Sequence, residues 1–199
     1  MVAEDERTGS AMTVVDVPRH GAAALADDDP AARYDVAGRL TRSRAASEGG
    51  SVGVTVRALV EVQRRHGGMA PRAVVGGEFT TGDGAEVVFE VLVGSGYKSM
   101  IELRRDPERA VMSQIYPSWP LIPGLPQEYA AAALDGLADG PCASSLPSGV
   151  LRLDRAAFDE VESSTHVFAQ ATAALCCVLA AKLRGQDVEE ALRSVVEQW

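Results

Sequence analysis

From Val52 onward, Val52, Val54, Val56, Ala58, Val60 and Val62 fall on every second position, with Ser51, Thr55, Arg57 and Glu61 among the residues between them. A period of two sends alternate side chains to opposite faces, so this segment predicts a strand with one buried face. Whatever the rest of the chain does, it must supply a cover for that face. A Gly67-Gly68 turn follows, and Ala73 to Thr80 predicts a second strand broken at Gly76-Gly77. Thr80-Thr81-Gly82-Asp83-Gly84 has the composition of a tight turn, and the Val- and Phe-rich run Ala85 to Val93 after it predicts a hairpin.

The cover comes from the carboxy-terminal half. Between Gly94 and Pro126, Pro107, Pro117, Pro120 and Pro123 remove donors too often for a long regular element, and only Ser99 to Leu103 could extend the sheet. Gln127 to Ala138 is Ala-rich and predicts a helix that Gly140-Pro141 ends. Gly149 to Leu153 predicts a short strand. Ser163 or Ser164 can cap a helix running through Phe168, Ala171, Leu175, Val178 and Leu179 to Gly185. Asp187 can cap a last, separate amphipathic helix with Val188, Ala191, Leu192, Val195, Val196 and Trp199 on one face. Residues 1–50 mix Ala, Gly and Ser with the acid triplet Asp27-Asp28-Asp29 and offer no sustained apolar face, so they are expected to be mostly flexible. Met12 to Val17 could add an edge strand, which Pro18 would stop.

A length of 199 residues with 46% hydrophobic content allows one domain with a real core. The net charge of -9 argues against a generic nucleic-acid coat, which draws its affinity from clustered Lys and Arg. The three cysteines, Cys142, Cys176 and Cys177, are odd in number, and two are neighbours on different faces of a predicted helix. No disulfide framework is expected. Glu4, Asp5 and Glu6 precede no apolar leader, and no run is read as long enough for a bilayer, so a reducing cytoplasm and no membrane are expected.

Chemical motifs are sparse. Gly94-Ser95-Gly96-Tyr97-Lys98-Ser99 follows a strand but misses phosphate-loop spacing, so no nucleotide or other cofactor is expected. His20, His66 and His166 are dispersed without ligand partners, so no metal is expected. Cys176 and Cys177 suit an apolar core, and Asp159, Glu160 and Glu162 suit a solvated helix start better than acid-base chemistry. The basic spots Arg64-Arg65-His66 and Arg104-Arg105 with Arg109 are either solvated faces or phosphate contacts.

One ordered set of signals resembles a known family. Ile122-Pro123-Gly124, a helix, Gly140-Pro141, the strand Val150 to Leu153, then Phe158, Val161, Ser163-Ser164, Phe168 and Ala171 follow the order found in domain IV of translation elongation factor G. The resemblance covers about a quarter of the chain well, and it brings no GTPase segment with it. It implies an α+β domain over 51–185 with the ribosomal protein S5 domain 2-like fold, a small sheet with two helices packed on one face, followed by the helix at 186–199. It further implies a non-catalytic, translation-factor-like module that meets the ribosome, its rRNA or a ribosomal partner through a tip made of Thr81, Gly82, Asp83, Ile122, Pro123 and Gly124. Arg104, Arg105 and Arg109 would then touch phosphates, with Tyr116 and Trp119 as aromatic platforms. The comparable turn in the family is longer and basic, whereas Asp83 crests this one. The alternative is a protein-interaction or self-associating module that kept the fold and lost RNA contact.

Overall fold

The computed structural model describes residues 12–47, 51–65 and 68–199. They form β1 (Thr13–Val17), β2 (Gly21–Ala26), β3 (Val36–Ala45), β4 (Thr55–Arg64), β5 (Arg72–Thr81), β6 (Glu86–Gly94), α1 (Met100–Arg105), β7 (Val111–Met112), β8 (Pro120–Pro123), α2 (Gln127–Asp139), β9 (Gly149–Phe158), α3 (Thr165–Arg184) and α4 (Val188–Val196). The sheet runs β1-β2-β4-β5-β9-β6-β3, antiparallel except where β6 lies parallel to β9, and β8 joins the far end of β9. The architecture is mixed α/β, with a mainly antiparallel sheet and four helices.

Two strands, β2 and β3, lie where a flexible segment was expected. β2 pairs with β4 and β3 pairs with β6, so residues 13–45 form part of both flanks of the sheet. Their stability is non-local. β3 buries almost nothing of its own and is held by its ladder to β6, by Arg42 on Asp135 and Asp139, and by Arg44 on the Ala138 carbonyl. No apolar period along the segment could report that. β1 is an edge strand that stops before Pro18, as its composition suggests. Residues 1–11 lie outside the described residues.

β5 is unbroken. Gly76-Gly77 marks a register shift against β9, and a Cβ on Gly77 would fall 2.2 Å from the Arg152 carbonyl oxygen. Nor do β5 and β6 form a hairpin, because β9 returns from far along the chain and inserts between them. Ser99 to Leu103 is helical rather than extended: Ser99 and Glu102 form a reciprocal capping box at the start of α1. β9 runs on to Phe158, past the expected end at Leu153. The expected turn at Gly67-Gly68 lies partly outside the described residues.

The large core lies between the sheet and α2, α3 and α4, where Phe79, Phe89, Leu151 and Leu153 meet Leu137, Phe168 and Leu175. The apolar stripe of α4 is core packing, since Leu192, Val195 and Val196 belong to the same core as Val15 and Val17 of β1. By length and composition Thr165–Leu183 could cross a membrane, contrary to the expectation that no run comes near that length. Its apolar residues, however, are spent in this core. On the other face a smaller cluster of Leu59, Val74, Val111, Leu121 and Ala157 packs under the β7–β8 pair. The turn after α2 is also joined covalently to α3, because Cys142 and Cys177 form a disulfide. That corrects the expectation of unpaired cysteines and removes the ground that cysteine usage gave for a reducing compartment. Cys176 points elsewhere and stays a buried thiol, its pKa pushed up to about 12 by burial.

Candidate functional site

The expected tip divides. Thr81 pairs with Gly149 at the start of β9, whereas Ile122 pairs with Phe158 at its end. Strand rise alone separates those two points by about 30 Å. The Ile122 group lies in and just after β8, while Thr81, Gly82 and Asp83 lead into the exposed connection between β5 and β6. Thr81 is buried, its hydroxyl donating to the Ser51 carbonyl and accepting from the Val54 amide, and Gly82 is bonded to Ser148. Asp83 is exposed at that end, as are Gly84, Ala85 and Glu86 after it and Val52 and Val54 beside it. Ile122 and Pro123 are the paired residues of β8, and Gly124 donates to the Ala156 carbonyl with the Tyr97 ring where a Cβ would sit.

Polar chemistry gathers at the end of β9 that carries Phe158. Glu61, read as a solvent-side residue of β4, is 1% exposed because the β7–β8 side covers that face. The consecutive apolar residues Ala58, Leu59 and Val60 were the signal, since a strand covered on both faces loses its alternation. The Glu61 carboxylate accepts from the Ser113 hydroxyl and from the amides of Gln114 and Ile115, so it holds the 113–119 loop. Burial pushes its pKa up against the opposing pull of those donors and of Arg72.

Trp119, on the same loop, lies over the Arg72 guanidinium at 4.6 Å and donates through Nε1 to Asp159 at 2.7 Å. Asp159 also accepts from the amides of Val161 and Glu162. Burial would raise the pKa of this carboxyl, but the Val161, Trp119 and Glu162 donors and the Arg72 charge together leave it lowered. Glu162 accepts from the Ala70 amide and lies 3.7 Å from Arg72. Ser163 donates to the Arg72 carbonyl and accepts from the Asp159 amide, and Ser164 caps α3. The Val-Glu-Ser-Ser phrase therefore staples the start of α3 to the start of β5.

Around this rigid base the surface is apolar. Val161 is 88% exposed and Met69 61%, with Met112, Tyr116 and Trp119 also open to solvent. Leu103, Met112, Trp119 and Val161 line an open cavity of about 670 Å³ whose polar side carries Glu160 and Glu162. The basic residues nearby mostly have acidic partners: Arg65 with Asp16, Arg72 with Glu162, Arg109 with Asp106. Arg105 is exposed on α1, and Arg104 lies on the same helix. Among the described residues no group of His, Cys, Asp and Glu is placed to hold a metal, and His66 lies outside them. Comparison with protein-family models, curated proteins and solved structures finds no match to this chain.

Proposed function

We propose that the chain is a non-catalytic binding module that meets a protein partner through the end of the sheet carrying Tyr116, Trp119 and Val161. The observation that carries this reading is the set of exposed apolar side chains mounted on a buried polar base held by the hydrogen bonds of Asp159 and Glu61. Large solvent-facing apolar groups around a cavity with a polar rim are the usual mark of a contact surface. Absence of catalysis is supported by the two buried carboxylates: Glu61 and Asp159 each accept three hydrogen bonds that hold backbone or side chains in place, so neither is offered to a substrate.

A second reading keeps the likeness to domain IV of elongation factor G, with its S5 domain 2-like fold and a contact to rRNA. It draws support from α2 and α3 packed together on one face of the sheet, and from exposed Tyr116 and Trp119 on the same end of the molecule as Arg105. Co-sedimentation with ribosomes at several salt concentrations separates the two. Phosphate contact weakens steeply with salt, while an apolar protein contact does not. Association that survives salt and is lost in Val161→Asp supports the first reading on a ribosomal protein. Steep loss with salt supports the second. No association at low salt rejects the ribosome as partner.

A further inference from the structure

A second cleft opens beside the first. Residues following β2 meet the Gly94-Ser95-Gly96-Tyr97-Lys98 turn and the 3-10 turn Pro107–Arg109, around a space of about 370 Å³. Arg33, Lys98 and Arg109 line it from three separate stretches of chain, with Asp35 as the one acid in the lining. Tyr34 and Tyr97 form walls rather than donors, because their hydroxyls are already given to the carbonyls of Leu92 and Gly94. Gly96 has φ +67, and an added Cβ there would meet nothing within 4 Å, so the turn leaves the cleft open.

In a molecule of net charge -9, three cations gathered here stand out. Asp106 bridges two of them, lying 3.3 Å from Lys98 and 3.0 Å from Arg109, which shows that this pair grips an oxyanion. Arg33 has no acidic partner among the described residues. Counting Asp35 and Asp106 against the three cations leaves an excess of positive charge around a concave space. Guanidinium forks favour tetrahedral oxyanions that accept several charge-assisted hydrogen bonds.

We propose that this cleft binds a phosphate group, held by Arg33, Lys98 and Arg109. It is built from side chains, not from a phosphate loop. The proposal does not depend on the partner assigned to the neighbouring apolar surface.

The test is calorimetric titration of the full chain with inorganic pyrophosphate at low ionic strength, with a 5′-phosphorylated RNA oligonucleotide as a parallel arm. The second arm tells whether the phosphate arrives free or on a polynucleotide. Arg33→Ala, at an exposed and unpaired position, is expected to weaken binding about tenfold. Asp106→Asn, which releases Lys98 and Arg109, is expected to tighten it several-fold. Arg33 dependence in either arm supports the site. No binding in both arms, or binding that Arg33→Ala leaves unchanged, overturns it. So does weaker binding by an Asp106→Asn protein whose melting temperature is that of the wild type.

Discussion

Asp159 and Glu61 show how two carboxylates of one cluster respond to acid with opposite sign. Asp159 has a lowered pKa when folded, so its stabilising contribution is complete above its unfolded pKa and is lost as pH falls through the folded value. Glu61 is raised, so its contribution is present below its unfolded pKa and is lost as pH rises through the folded value. Asp159→Asn is therefore expected to cost about 1–3 kcal/mol near neutrality and to flatten the acid side of the stability curve, as urea denaturation across pH would show. Glu61→Gln keeps the shape but turns an amide donor toward donors. A cost of about 1–3 kcal/mol is expected, with red-shifted Trp119 emission as the 113–119 loop loosens. Of these roles the sequence carries only a trace, the loss of alternation at Ala58-Leu59-Val60 that marks β4 as covered on both faces. What covers Glu61 is not legible, because the segment that buries it returns some fifty residues later.

Elements were legible where their signals are local. The caps Ser164 and Asp187, the Gly140 and Gly185 stops and the edge strand before Pro18 each depend on a few adjacent residues. Pairing was not legible, because β9 enters between β5 and β6 from 55 residues beyond the end of β6 at Gly94, to Gly149, and no turn composition records that. The disulfide hid for the same reason: Cys142 and Cys177 are 35 residues apart and meet only because α2 and α3 pack together. Its removal by Cys142→Ser is expected to cost about 2–4 kcal/mol, and a reductant should lower the melting temperature of the wild type but not of the variant. The α2–α3 contact itself rests on Gly136, where a Cβ would lie 2.1 Å from the Ala169 carbonyl oxygen. Gly136→Val should force the helices apart and destabilise by about 3 kcal/mol, measurable in the same denaturation series.

At the scale of the whole molecule the two ends of β9 differ in kind. One end, near Thr81 and Gly149, is tied by short backbone bonds and presents Asp83 beside the exposed Val52, Val54 and Val150, with no buried carboxylate base beneath them among the described residues. The other carries a hydrogen-bonded polar base, exposed aromatic and aliphatic side chains, and two open clefts. Across the sheet between them, Arg152 pairs with Glu90 and Arg57 with Glu78 and Asp154, so charge on that face is largely self-neutralised. The proposed contact is placed at the second end. The most direct measurement places a photo-crosslinking amino acid at Tyr116 in one protein and at Asp83 in another, in cells where the chain is expressed. The account predicts a discrete protein adduct from position 116 and none from position 83. Adducts from position 83 alone, or equal yields from both, would contradict it.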